Sequence, residues 1–222
     1  MSVKSSVSLS VIRRLPRYYR FLGELKKSGR DRISSRELSE LMGLTASQIR
    51  QDLNCFGGFG QQGYGYNVLS LYDEIARILG LDSHLPTILI GVGNLGKAIA
   101  SHMHFEQRGF SLVGLFDSNP ALVGTERAGL TIRNTNELES FCKENAPRVA
   151  ILCIPKTAAE GLGRQLVSYG IKCFWNFSHY DLALEYDDVI VENVHLSDSL
   201  MTLGYRVNEQ IRKEADEELT SK

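Results

Sequence analysis

The sequence has 222 residues, 43% of them hydrophobic, and a formal net charge of −1 at pH 7. That length gives one large domain or two smaller ones, and that apolar share is ordinary for a chain with a real core. With no secretory signal, no long apolar span and no C-x-x-C pair among its four cysteines, the chain reads as soluble, reduced and cytoplasmic, without a membrane partner.

The near-neutral total hides an asymmetry. Residues 1–70 carry 11 Lys and Arg against 5 Asp and Glu, and the remainder carries 14 against 21. A basic front on an acidic body points to an anionic polymer as partner. Residues 1–10 are Ser-rich and read as loose. Leu15, Tyr18, Tyr19, Leu22 and Leu25 then recur at helical spacing, with Pro16 at the start and Ser28-Gly29 at the end. Arg13, Arg14, Arg17 and Arg20 crowd the start of this helix.

Two capped helices follow. Ser34-x-x-Glu37 is a capping box opening Glu37–Met42, which Gly43 closes. Thr45-x-x-Gln48 reads as a second capping box, opening Ala46–Phe56. Helix, glycine turn, helix is the helix-turn-helix pattern, with the second helix as the reader. Its N-terminal outward residues Ser47, Gln48, Arg50 and Gln51 suit base edges in the major groove, while Ile49 and Leu53 face the core. Phe56–Tyr66 then alternates aromatic residues with glycines around Gln61-Gln62, a β-hairpin placed as the wing of a winged helix. Arg13, Arg17, Ser47, Gln48, Arg50, Gln51, Gln61 and Gln62 form the expected DNA-binding set. A short helix over Ser70–Leu79 and a link over Leu81–Pro86 complete this half.

A β-branched run, Thr87–Ile90, leads into Gly91-Val92-Gly93-Asn94-Leu95-Gly96 and a helix start at Lys97-Ala98. This is the strand–turn–helix setting that a dinucleotide-binding G-x-G-x-x-G needs. Gly91 permits the tight turn, Gly93 a close backbone approach to a pyrophosphate, and Gly96 close helix–strand packing. A second apolar run, Leu112–Phe116, ends at Asp117, about 20 residues on, where the ribose-binding acid of an NAD site belongs. The pattern then alternates: helix 94–107, strand 112–117, a connection through Val123-Gly124, helix 136–145, strand 149–154, helix 158–169, strand 172–175 and a short run at 188–191. Such alternation implies a parallel sheet covered on both faces. Leu196, Leu200, Leu203, Val207 and Ile211 make one apolar stripe on a terminal helix, to be buried on its own domain or on a second subunit.

At Ile12–Tyr19, Gln48–Leu53, the wing and Gly91–Gly96 the chain resembles the Rex family of redox-sensing transcriptional repressors, over nearly its whole length. The resemblance implies an α/β protein: a winged-helix DNA-binding domain over 1–80, a Rossmann-like domain over 81–195 binding NADH or NAD⁺, and a C-terminal helix with tail over 196–222 exchanged in a homodimer on operator DNA. NADH would release the DNA and NAD⁺ would favour the bound form. The cofactor set so implied comprises Gly91, Val92, Gly93, Asn94, Leu95, Gly96 and Asp117, with Ile154, Pro155, Asn176, His102 and His195.

The sequence departs from the family pattern at Gln51 and Gln62, where basic residues are frequent. It departs also at His102 and His195, where a Tyr and an Asp frequently serve the nicotinamide switch. The expected switch is therefore a His195 that accepts a hydrogen bond from Arg14 in one state and from His102 in the other. No substrate domain and no nucleophile–base pair are visible, and His102 and His104 lie on different helix faces, so neither an enzyme nor a metal site is expected. The alternatives are a small NAD-dependent enzyme carrying a DNA-binding domain and a CoA-binding module. Asp117 speaks against CoA, because an acid on the ribose repels a 3′-phosphate.

Overall fold

The computed structural model describes residues 7–57, 60–61 and 64–220. The chain divides into two compact units, one of residues 1–83 with 107–109, the other of residues 84–106 with 110–222. The first boundary thus falls three residues beyond the expected 80/81.

In the first unit α1 (Leu9–Ile12) precedes α2 (Leu15–Lys27), which has Pro16 in its first turn. Leu15, Tyr18 and Leu22 are fully buried along one stripe of α2. The two-residue strand β1 (Arg32–Ile33) leads to α3 (Ser35–Met42). The Ser34–Glu37 capping box is formed in both directions, and Gly43 ends α3 in the left-handed conformation at φ 60°. Next come α4 (Ala46–Asn54), β2 (Gly60–Gln61), β3 (Gly65–Asn67) and α5 (Val68–Leu79). Asn67 caps α5, which therefore begins two residues before Ser70.

Among the described residues of this unit the strands form a three-stranded antiparallel sheet, β1-β3-β2. β2 and β3 make the expected hairpin; β1, too short to carry a period, was not legible. Ile33, Leu38, Met42, Ile49, Leu53, Tyr66, Leu71 and Ile75 join the α2 stripe in one core.

The second unit is a sheet in the order β10-β9-β8-β4-β5-β7-β6, seven strands among the described residues. Its chain order is β4 (Leu85–Ile90), α6 (Asn94–His102), β5 (Phe110–Asp117), β6 (Glu126–Arg127), β7 (Leu130–Asn134), α7 (Leu138–Asn145), β8 (Val149–Leu152), α8 (Lys156–Ser168), β9 (Cys173–Asn176), β10 (Ile190–Asn193) and α9 (Leu196–Thr220). All pairings are parallel except β6 with β7. The chain leaves β4 toward β5 and β7, then crosses back to lay β8, β9 and β10 on the other side. Ile88, Leu89 and Ile90 of β4 are fully buried, as a central parallel strand requires.

Three differences from the expected elements have local causes. β4 starts at Leu85 because Leu85 and Pro86 pair with Phe110 and Ser111 of β5, a tertiary contact invisible to periodicity. α6 stops at His102 rather than 107, because His104 takes a positive φ of 46° and Phe105–Arg108 is a separate 3-10 turn. The connection past Val123-Gly124 holds the β6–β7 hairpin, whose turn places Ala128 (φ 49°) and Gly129 (φ 76°) both left-handed. An Ala at the first of those positions hides the usual Asn-Gly signal.

At Gly96 a Cβ would lie 1.9 Å from the Gly91 carbonyl oxygen, so α6 starts against its own turn at a distance only glycine allows. Gly96→Ala is expected to destabilise this unit by about 1–3 kcal/mol. Denaturant unfolding of the variant beside wild type measures it.

Candidate functional site

In a sheet of this order a ligand crevice opens outside the carboxyl ends of the strands, where the chain reverses direction across β4 and β8. The expected cofactor residues fall along that edge. β4 ends at Ile90 and turns through Gly91, at φ 90°; a Cβ there would lie 2.4 Å from the Cys153 carbonyl oxygen. Gly93 is the N-cap of α6 and offers no side chain to its first N–H groups. A Cβ on Gly93 would meet no heavy atom within 4 Å. A helix start with uncapped donors and no side chain in front of it suits an anion. Leu95 stands exposed on the first turn, while Val92 and Gly96 are buried.

Asp117 closes β5, half-buried. Its Oδ2 accepts from the Val92 backbone N–H at 2.7 Å and its Oδ1 from the Asn119 N–H at 2.8 Å. The acid is therefore tied to the glycine turn itself, and each oxygen retains a lone pair for a hydroxyl donor. Ile154 and Pro155 follow the end of β8, with Pro155 as N-cap of α8. Burial pushes the neighbouring Cys153 thiol up to about 12, so it is protonated at neutral pH and not a nucleophile.

One expected cofactor contact is corrected. Asn176 ends β9 on the same edge but is fully buried. Its Nδ2 donates to the Tyr180 carbonyl at 2.7 Å and to Asn193 Oδ1 at 2.8 Å; its Oδ1 accepts from the Ser178 N–H and hydroxyl. Both hydrogens and both lone pairs of that amide are committed, so Asn176 ties β9 to β10 instead of meeting a ligand. His102, also expected at the cofactor, is exposed at the last residue of α6, about 12 Å along the axis from Asn94.

The residues of the expected Arg14–His195–His102 switch have these partners, each within its own unit. Arg14 gives Nε and Nη2 to Asp52, at 2.7 and 2.8 Å. His195, at the root of α9, lies against His179, with ring centroids 5.0 Å apart, and its Nδ1 is 3.5 Å from Asp198 Oδ2. Sequence reasoning missed His179, because nothing local pairs residues 16 apart.

In the first unit Ser47, Arg50 and Gln51 are exposed on α4, and Gln48 is half-buried. Arg50 Nη1 donates to Ser35 Oγ at 3.1 Å, bridging the two helices. Arg13 and Arg17 are exposed at the start of α2, where Arg17 donates to the Met42 carbonyl at the end of α3. Gln61 is the last residue of β2, paired with Gly65; Gln62 lies outside the described residues.

Asp52 was missed as a site residue. It is fully buried on the core side of α4 between Ile49 and Leu53. Besides Arg14, Tyr18 donates its hydroxyl to Oδ2 at 3.0 Å and Gln48 its Nε2 to Oδ1 at 2.8 Å. Burial works to raise the Asp52 carboxyl, but the hydrogen bonds from Arg14, Gln48 and Tyr18 outweigh it and hold the group below its ordinary value. Burial first, then the carboxylate beside it, pushes the Tyr18 phenol up. The signal was present: a carboxylate at i+3 from one core residue and i−1 from another needs a cation. That cation is 38 residues away. The second expected capping box is half-formed: Thr45 Oγ1 accepts from the Gln48 N–H at 3.1 Å, but the Gln48 side chain goes to Asp52.

Among the described residues no group of three or more His, Cys, Asp or Glu could hold a metal ion, and no helix is long and apolar enough to cross a membrane.

A winged helix-turn-helix unit joined to a parallel sheet with a dinucleotide-type glycine turn defines a ligand-responsive DNA-binding protein. Family models agree: one described as "Putative DNA-binding protein N-terminus" matches residues 6–54, and a "CoA binding domain" matches residues 82–180. The redox-sensing transcriptional repressor Rex of Thermoanaerobacter pseudethanolicus is 58% identical over 95% of this chain and 93% of its own length. That of Clostridium novyi is 51% identical over 94% and 99%. Two solved structures of RSP, a Rex-family repressor, are also similar. Its complex with β-NAD⁺ and operator DNA is 55% identical over 95% of this chain and 97% of that one, at a TM-score of 0.87. Its complex with β-NADH is 53% identical over 95% and 99%, at 0.86. The chain belongs to the Rex family of redox-sensing transcriptional repressors.

The depressed Asp52 carboxyl makes a prediction about acid stability. A folded-state value below the ordinary one contributes stability that is complete above pH 3.8 and is lost as pH falls through the folded value. Asp52→Asn is expected to destabilise the DNA-binding unit by about 2–4 kcal/mol at neutral pH. The gap from wild type should shrink as pH drops below 3.8, in thermal unfolding followed by circular dichroism.

Proposed function

We propose that this chain is an NADH- and NAD⁺-responsive transcriptional repressor that binds operator DNA as a homodimer in the cytoplasm and releases it when NADH binds. The observation that carries the reading is the Asp117 carboxylate held on the Val92 N–H of the glycine turn, in one chain with a helix-turn-helix unit. The Gly93–Gly96 helix start faces the pyrophosphate, and Asp117 accepts from the adenosine ribose hydroxyls. Ile154 and Pro155 border the crevice at the end of β8. The bound dinucleotide supplies a ring whose charge and planarity change on reduction, and a switch responds only if its two arrangements bind the two forms differently.

On the DNA side Ser47, Gln48, Arg50 and Gln51 read base edges from α4, while Arg13 and Arg17, with the wing residues Gln61 and Gln62, meet the backbone. The dimer follows from α9. Leu196, Leu200, Leu203, Val207 and Ile211 are 47–69% exposed along it, so its apolar stripe is not buried on its own subunit. The protein acts as a regulator and not as an enzyme.

A CoA ligand is the second reading, favoured by the family model over residues 82–180. One titration separates the two. Operator complexes are challenged with NADH, NAD⁺ and CoA in a mobility-shift assay; NADH alone is expected to release the DNA. Release by CoA, or none by NADH, would overturn the proposal.

Asp117→Ala is expected to weaken NADH binding about tenfold, equivalent to about 1.4 kcal/mol, and to narrow the discrimination against NADPH, whose 2′-phosphate the carboxylate repels. Calorimetry with both nucleotides measures it. Removing residues 196–222 is expected to give a monomer in sedimentation with weakened operator affinity.

A further inference from the structure

Gln48 stands in the first turn of α4 with its backbone N–H on Thr45 Oγ1 and its side-chain Nε2 on Asp52 Oδ1. A carboxamide has a nitrogen end and an oxygen end of nearly the same shape, and its partners decide which way it lies. Here the partner permits one answer. Asp52 already accepts both Arg14 donors and the Tyr18 hydroxyl, so it is an ionised carboxylate with acceptors only. An amide oxygen turned toward it would set acceptor against acceptor inside the unit. The nitrogen therefore faces Asp52, and Oε1 is left at the outer end of the half-buried side chain.

We propose that Asp52 is a positioning residue for operator specificity: it fixes the hand of the Gln48 amide, so that the DNA base pair is met by Oε1, an acceptor, and read through its exocyclic amine. This rests on the reading of α4 as the recognition helix. In the major groove every base pair presents one amine, adenine N6 or cytosine N4, and one carbonyl oxygen, thymine O4 or guanine O6. Which side of the pair the amine occupies distinguishes A·T from T·A and C·G from G·C. A glutamine free to rotate would meet either side, by its oxygen or by its nitrogen. One whose nitrogen is held on a buried ion pair meets only the amine. Adenine is the better of the two bases, because its N7 can take the second hydrogen of Nε2. Gln48 thereby differs from Ser47, Arg50 and Gln51, whose exposed side chains lack this buried anchor.

The test uses the full-length protein and the operator obtained from a randomised-site selection. Gln48→Ala identifies the base pair that loses its preference. Into that pair an analogue lacking the amine is placed (2-aminopurine for adenine, zebularine for cytosine), or in a second duplex one lacking the carbonyl oxygen. Wild type is expected to lose about tenfold in affinity without the amine and less than threefold without the carbonyl. Asp52→Asn can offer Gln48 a donor in place of an acceptor; with it the amine effect is expected to fall below threefold at that pair, with preferences elsewhere retained.

A wild-type loss that follows the carbonyl, or an amine effect unchanged in Asp52→Asn, overturns the proposal. So does an Asp52→Asn that weakens all duplexes equally, since Asp52 then only supports the fold. Should that variant not fold, the wild-type comparison of amine with carbonyl decides alone. Gln48→Ala with every base preference intact withdraws Gln48 as a reader and the proposal with it, whereas failure of wild type to select any sequence withdraws the repressor reading as well.

Discussion

The sheet unit depends on one constraint: β4 is central, buried on both faces, and must hand the chain to α6 within a few residues. Ile88, Leu89 and Ile90 admit no solvent, so the reversal is made at Gly91, against the Cys153 carbonyl. The same packing that forbids a Cβ at Gly91 and Gly96 aims the first N–H groups of α6 outward past Gly93, where a Cβ would meet nothing. Anion affinity is then a by-product of close packing. Asp117 belongs to the same construction: it ends the neighbouring strand, and its bond to the Val92 N–H fixes the turn relative to β5. An acid already oriented by a backbone donor has little side-chain entropy left to lose when a further donor arrives.

The DNA-binding unit solves a different problem with a buried ion pair. Its core is small, and α4 contributes Ile49 and Leu53 to it. Placing Asp52 among them is unfavourable unless every lone pair is answered. Tyr18 of α2 and its N-cap Arg14 answer, with Gln48 from α4 itself, so the carboxylate ties α4 to α2. A hydrophobic residue at 52 would fill the space but would not choose an orientation for Gln48. The polar network supplies direction, which burial alone does not.

Legibility in the sequence followed the range of the interaction. Caps, glycine turns and apolar periods act over three to seven residues, and they revealed the Ser34 box, the left-handed Gly43 and the glycine turn. What escaped was made by contacts distant in the chain. β1 exists because β3 pairs with it, and Arg14 ends on Asp52. Asn176 lost its expected role for the same reason: a polar residue at the end of a strand looks like a ligand contact until Ser178, Tyr180 and Asn193 close around it. The end of α6 was misread by element length. The apolar period carried it to 107, but His104 is left-handed and the helix stops at His102.

The C-terminal helix links these local solutions to regulation. Twenty-five residues of α9 carry an apolar stripe that the rest of the subunit leaves exposed. Burying five aliphatic side chains of that stripe contributes roughly 1.5–3 kcal/mol each. That is comparable to the whole net stability of a typical domain. In the proposed dimer the helix is therefore not an accessory to folded subunits; subunit stability and assembly are one equilibrium. His195 stands one residue before that helix, packed on His179 and within reach of Asp198. β10 ends two residues earlier, on the sheet edge that bears the glycine turn and Asp117. The root of α9 and the glycine turn thus lie at the same edge of the sheet. A small change of angle at the root of a 25-residue helix is amplified along its length, which at about 1.5 Å per residue is close to 37 Å.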